Sequence, residues 1–161
     1  MKIKGNDILG RIEKSIEIKA SPEKVWEMLA WDRHPEWIDA MKSVEYTSEV
    51  STPEDKFRVG ATAHITPVSE RAREEFDVEI TESLENEKIS SRYSYSIGGV
   101  QNVTGSYILK PTEGGTEMTL VYNYEMPWGI FGKVIDRLYN FFKGERIVEK
   151  SLEKLKSILE K

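Results

Sequence analysis

A chain of 161 residues with a formal net charge of −5 has the length of one ordinary domain, since single cores organise roughly 100–200 residues. Hydrophobic residues make up 39% and charged residues 32%, a globular balance rather than a disordered one. The absence of cysteine excludes disulfides, thiolate metal sites and a cysteine nucleophile. With His34 and His64 the only histidines, no imidazole-built metal site is expected and no cofactor is called for.

The acidic balance argues against a nucleic-acid binder, which would carry a basic excess. Residues 129–161 hold eight Lys/Arg and five Asp/Glu, a balance of +3, against fifteen and twenty-three, or −8, in the first 128. That asymmetry leaves open a peripheral membrane contact through a basic helical face, although a solvated helix explains the same charges. No apolar run approaches the ~20 residues of a membrane span, and Met1 to Lys14 lacks the apolar stretch of a secretion signal. The expectation is a single cytoplasmic domain over residues 1–161.

In chain order, Ile8 to Lys19 reads as a strand in which Ile12, Ile16 and Ile18 alternate with Glu13, Glu17 and Lys19. Lys14 falls on the apolar parity and breaks the pattern. Ser21-Pro22 then marks a helix start, serine as cap and proline in the first turn, with Val25, Trp26 and Leu29 as the buried stripe. Asp32-Arg33-His34-Pro35 interrupts it, and Pro35 opens a second short helical turn through Trp37 and Ile38. From Lys42 to Pro127 the period becomes two. Strands are expected around Val44 and Tyr46, over Ala61 to Val68, at Phe76, Val78 and Ile80, from Ile89 to Tyr95, from Val103 to Leu109 and from Met118 to Met126. Which face of the 61–68 strand turns inward stays open. Asn86, Gly98-Gly99 and Gly114-Gly115 are the hairpin signals, glycine tolerating the positive φ of tight turns. Phe131, Ile135, Leu138, Phe142, Leu152, Leu155 and Leu159 then recur at helical spacing, with Lys133, Arg137, Lys143, Lys150 and Lys154 on much of the other face and Gly144 as a candidate bend.

Short antiparallel strands in sequence form a meander whose inner face needs a cover. The terminal helix is the only element long enough, since thirty residues reach roughly 45 Å. The order of elements, and three stretches in particular, resemble the polyketide cyclase/dehydratase and lipid-transport group of the START-like (SRPBCC) superfamily. The first is Ala20-Ser21-Pro22-Glu23-Lys24-Val25-Trp26 with Asp32, Pro35, Glu36, Trp37 and Val44-Glu45. The second is Gly105-Ser106-Tyr107 with Leu109-Lys110-Pro111 and Gly114-Gly115-Thr116. The third is Glu149 to Leu155 in the last helix. The resemblance implies an α+β helix-grip fold. In it, a seven-stranded curved antiparallel sheet wraps a long C-terminal helix, two short helices follow the first strand, and a hydrophobic cavity lies between sheet and helix. These motifs are caps, turns and packing residues, and none is a catalytic signature.

Aromatic residues are the candidate lining. Tyr93, Tyr95, Tyr122 and Tyr124 lie at strand alternation, and Trp128, Phe131, Ile135 and Tyr139 lie at the start of the covering helix. A tyrosine offers an apolar ring with a hydroxyl that can orient a guest, though each ring singly also serves as core filling. His64 is the one candidate base, but it has no partner at a diagnostic spacing. Glu74 and Glu75 alternate across a strand and cannot converge on one atom. Arg71, Arg73 and Arg92 suit a solvated face as well as an anionic head group. At ~24 cal/mol per Å³, an empty 300 Å³ cavity would cost about 7 kcal/mol, comparable with the ~5–15 kcal/mol stability of a domain, so a retained cavity implies a use. The expected function is binding or transport of a small hydrophobic or lipid-like molecule. The alternative is an aromatase/cyclase- or dehydratase-like enzyme acting on a polyketide-type or aromatic substrate in the same cavity.

Overall fold

The computed structural model describes residues 7–68, 75–94, 101–127 and 134–161, with side chains in the last stretch from residue 145 onward. Strand β1 (Asp7–Ile18) leads into helix α1 (Pro22–Met28) and a 3-10 helix over Trp31–Glu36. Then come β2 (Met41–Tyr46), a 3-10 turn at Pro53–Phe57, β3 (Thr62–Pro67), β4 (Phe76–Leu84), β5 (Lys88–Tyr93), β6 (Gln101–Thr112), β7 (Gly115–Pro127) and helix α2 (Val134–Leu159). The seven strands form one sheet in the order β1-β7-β6-β5-β4-β3-β2 with every pairing antiparallel. This is the expected α+β helix-grip arrangement: a meander from β2 to β7, with β1 added along the last strand.

Turn chemistry sets the register. Asn86 takes a positive φ of 62° between β4 and β5, where the Glu87 amide donates to the Leu84 carbonyl at 3.0 Å. Between β6 and β7, Thr112 pairs with Gly115, whose φ is 152° and whose added Cβ would stand 2.1 Å from the Ile18 carbonyl oxygen. That glycine lets the hairpin close against the end of β1, where the buried Thr116 hydroxyl donates to the Ala20 carbonyl at 2.7 Å. Gly98-Gly99, the third expected turn, lies outside the described residues.

Alternation then divides the sheet. Ala63 and Ile65 on β3, Phe76, Val78 and Ile80 on β4, Ile89 on β5, Tyr107 and Leu109 on β6, and Met118 and Leu120 on β7 are buried on the inner face. Against them pack Val25, Met28, Leu29, Trp31 and Trp37 from the α1 region, and Leu152 and Leu155 from α2. Trp26 stacks on Phe57 with ring centroids 5.0 Å apart, and the Trp37 indole N–H donates to the Met28 carbonyl at 3.0 Å. Both act as packing anchors. Helix α2 spans 26 residues, about 39 Å at ~1.5 Å per residue, and runs through Gly144 without a break.

Its C-terminal half is pinned by more than leucines. The Glu160 carboxylate accepts from the Lys19 amide at 2.8 Å, Lys156 donates to the Glu17 carbonyl at 2.6 Å, and Lys154 pairs with Asp39. Among the described residues, no helix is long and apolar enough to cross a membrane. Leu155 is wholly buried, so Leu155→Ala removes the centre of the helix–sheet contact. A loss of about 2–5 kcal/mol is expected, read as a lower urea midpoint with an unchanged m-value.

Candidate functional site

The inner face changes character toward β5, β6, β7 and β1, where tyrosines replace aliphatic residues. Register pairs two of them with glycines: Tyr122 with Gly105, and Tyr124 with Gly10. A Cβ on Gly105 would stand 2.8 Å from Tyr122 Cε1 and 3.0 Å from Tyr93 Cε2, and one on Gly10 only 2.0 Å from Tyr124 Cζ. The rings therefore lie across the neighbouring strands instead of standing upright. Only glycine permits so close an approach of ring to backbone, and a ring lying down takes less height beneath the helix.

The rings form a continuous band. Tyr93 lies between Phe76 and Tyr122, with centroids 6.0 Å from each, and the Tyr107 hydroxyl shares a hydrogen bond with that of Tyr122. Trp37 and His34 meet Tyr107 edge-on at 6.1 and 5.8 Å. Burial raises the Tyr107 phenol well above its ordinary value, and burial followed by the charge of Glu145 raises that of Tyr124. Both hydroxyls stay protonated across the physiological range, as hydrogen-bonding groups rather than phenolates.

Three of the tyrosines expected from sequence, Tyr93, Tyr122 and Tyr124, are thus on one face. Tyr95, Trp128 and Phe131 lie outside the described residues, as do the side chains of Ile135 and Tyr139 in α2. His64 requires a correction as a lining residue. It alternates with the buried Ala63 and Ile65, so it stands on the outer face at 35% exposure. There its ring nitrogens contact Asp77 at 2.9 Å and Glu75 at 3.0 Å, and these carboxylates, Asp77 foremost, raise its pKa. Small apolar residues took the inner positions of β3 and left the imidazole to solvent. Arg92 is also on the outer face, beside Glu79, while Arg71, Arg73 and Glu74 lie outside the described residues.

Two polar groups that sequence reading passed over do reach the inner side. Lys14, the residue that broke the alternation of β1, bonds Glu145 at 3.2 Å and Glu149 at 3.1 Å on α2. Hydrogen bonds from Glu149 and then Glu145 raise its pKa, so it is held as an ammonium and is neither nucleophile nor base. His34, read as a loop residue, is 2% exposed. Its Nε2–H donates to the Leu29 carbonyl at 3.1 Å, which leaves Nδ1 as an acceptor without a partner. Burial lowers its pKa to about 4 against the opposing pull of the Leu29 carbonyl. A buried acceptor left unmade costs about 1–3 kcal/mol.

Other surfaces are chemically different. A groove of about 590 Å³ is lined by Arg11, Arg92, Thr104 and Asn123 together with Gly10 and Tyr124. The polar members of that lining stand on the outer face of the sheet. Among the described residues, no group of three His, Asp or Glu could hold a metal ion. On the basic side of α2, Lys154 is turned to the protein's own Asp39 and Lys150 is exposed. Lys133 lies outside the described residues, and so do the side chains of Arg137 and Lys143.

Comparison with known proteins agrees with this geometry. The family described as polyketide cyclase / dehydrase and lipid transport matches residues 10–160. Norcoclaurine synthase from Thalictrum flavum, in complex with a transition-state analogue, superposes with a TM-score of 0.70 at 13% identity over 97% of each chain. The same plant enzyme has been crystallised with dopamine and hydroxybenzaldehyde. A Mesorhizobium loti protein aligns with a TM-score of 0.68 at 18% identity, covering 93% of this chain and 96% of its own. A Staphylococcus aureus protein of unknown function gives 0.68 at 14%, covering 98% of this chain and all of its own. No curated protein matches the sequence.

The two histidines titrate on opposite sides of the ordinary value of 6.5. His34 stays neutral in the native state down to about pH 4, whereas the unfolded chain takes up that proton near 6.5. Its contribution is present above 6.5 and is lost between 6.5 and 4, by at most about 1.4 kcal/mol per pH unit. His64 has the opposite sign: its contribution is present below 6.5 and is lost as pH rises through its raised native value. NMR titration of the imidazole resonances checks both, and a His34 midpoint near 6.5 would refute the buried assignment.

Proposed function

The chain belongs to the polyketide cyclase/dehydrase and lipid-transport family, and from that membership and the aromatic inner face we propose that it binds a small hydrophobic or lipid-like molecule between the sheet and α2. The observation that carries this reading is the pair of tyrosine rings laid over Gly105 and Gly10. A fold that sought only to fill its interior would gain from upright rings, or from side chains larger than hydrogen at these two positions. Keeping them low sacrifices packing, which is costly unless the space has an occupant. Tyr93, Tyr122 and Tyr124 would line the floor, and Tyr95, Trp128, Phe131, Ile135 and Tyr139 are proposed as further lining residues. Burying about 200 Å² of a guest's apolar surface supplies roughly 5 kcal/mol before the costs of association, and the tyrosine hydroxyls orient it. The guest is the partner, and the protein works as one cytoplasmic domain with no cofactor.

Binding is preferred to turnover. A cyclase or dehydratase needs titratable groups converging on the substrate. Among the described residues, Lys14 is paired as an ammonium with Glu145 and Glu149, His64 faces outward, and His34, the imidazole of the inner side, is buried against Trp37 and Tyr107. The plant enzyme with its two aromatic molecules supports only the capacity of such a fold to hold guests of this shape.

Native mass spectrometry of protein purified from its own source is expected to retain a small molecule, and 8-anilinonaphthalene-1-sulfonate is expected to bind saturably to the stripped protein. Gly105→Val drives a side chain against Tyr122 and Tyr93 and should weaken that binding by tenfold or more. Protein that carries no small molecule, together with a dye signal that never saturates, would sink the proposal.

A further inference from the structure

The inner side of β1 carries an unbalanced charge. Lys14 supplies one ammonium, whereas the two carboxylates that reach it from α2, Glu145 at 3.2 Å and Glu149 at 3.1 Å, leave one negative charge over. That charge is felt on the aromatic floor, since Glu145 adds to burial in raising the Tyr124 phenol. Gly10 fixes how the phenol is turned. A Cβ built there would stand 2.0, 2.2 and 2.4 Å from Cζ, Cε2 and the hydroxyl oxygen of Tyr124. With Cζ nearest and its two bonded neighbours almost as close, the ring must lie with one face over the glycine, because an edge-on ring would bring its rim atoms in first. Its other face is turned to the helix side, from which Glu145 acts. The face of an aromatic ring is its negative side, so ring and carboxylate offer the same sign to one space. That space can be reached. Lys14 and Glu145 are 31% and 32% exposed, Tyr93, Tyr122 and Tyr124 are half-buried, and Gly10 and Tyr124 border the groove of about 590 Å³. The cations of that groove, Arg11 and Arg92, stand on the outer face beside their own partners Glu13 and Glu79.

We infer that the guest carries a protonated amine, with an apolar body on the tyrosine floor and its ammonium between the open face of Tyr124 and Glu145. This rests on the reading that the hollow takes a guest. A cation gains from both groups, a neutral molecule of the same shape gains from neither, and an anion is repelled by both. A carboxylate guest could pair with Lys14 only by displacing Glu145 or Glu149, so the lysine does not reverse the selection. Glu145 is thus a specificity-determining residue. Apolar burial sets how tightly a guest is held, and this charge sets which chemical class is held. The sulfonate dye, held by its rings, reports the hollow and not this preference.

The test compares 1-naphthylmethylamine, which is protonated at neutral pH, with 1-naphthylmethanol, which has nearly the same shape and no charge. In the full-length protein at low salt the amine is expected to bind roughly three- to tenfold more tightly, and the ratio should shrink as salt is added. Glu145→Gln is expected to bring the ratio toward one, and Lys14→Met, which leaves both carboxylates unmatched, to raise it. Both variants break the same ion pair, so a merely structural effect would move the ratio the same way in each, whereas charge moves it in opposite directions. The salt arm uses the wild-type protein and decides even if a variant does not fold. Equal affinities, tighter binding of the alcohol, a ratio that salt leaves unchanged, or variants that shift it in the same direction would overturn the inference while leaving the hollow intact. Saturable binding of neither naphthalene would overturn the hollow and the inference together.

Discussion

A sheet with one apolar face cannot stand alone, and the need to cover that face organises this molecule. Leu152 and Leu155 lie among the inner-face residues, and Val148, Ile158 and Leu159 pack beside them. The ammonium of Lys156 then ties the same half of the helix to the backbone of β1, and the carboxylate of Glu160 and the ammonium of Lys154 tie it to Lys19 and Asp39 beyond the strand. Apolar contact supplies the energy and the polar ties supply direction.

The polar residues of the inner side follow the same logic. An ammonium on the apolar parity of β1 would be costly without partners, and Glu145 and Glu149 reach it from the helix. The pairing thereby connects the helix, ahead of its buried leucines, to the edge strand. Such partly exposed pairs contribute little to stability in general. Their value here is geometric, since two carboxylates one helical turn apart converge on a single lysine and set the rotation of α2 above β1.

Much of this architecture was legible in the residues. The alternation Phe76, Val78, Ile80 and the run Met118, Leu120, Tyr122, Tyr124 each mark an inner face, and Gly114-Gly115 marks a turn that the structure contains. The facing of β3 was not legible, because Ala61 and Ala63 contrast weakly with Thr62 and His64, and small residues fit either side. His34 was hidden for another reason. Its neighbours Asp32, Arg33 and Pro35 read as a loop, and its burial depends on Tyr107, distant in sequence. The glycines that matter most, Gly10 and Gly105, look unremarkable along the chain and gain meaning only when register sets each beside a tyrosine. Lys14 was visible as a broken pattern, and the break itself was the signal.

The pairing of β1 with β7 also bears on how the chain reaches this state. Ser15 and Thr119 meet hydroxyl to hydroxyl at 2.8 Å across a separation of 104 residues. Strands β2 to β7 zip together through neighbouring hairpins, whereas the first strand must wait for the last to emerge before it finds its place. Loop closure over that span is entropically expensive and slows the search. During synthesis the segment rich in isoleucine leaves the ribosome long before its partner, so the nascent protein spends that interval with an adhesive edge exposed.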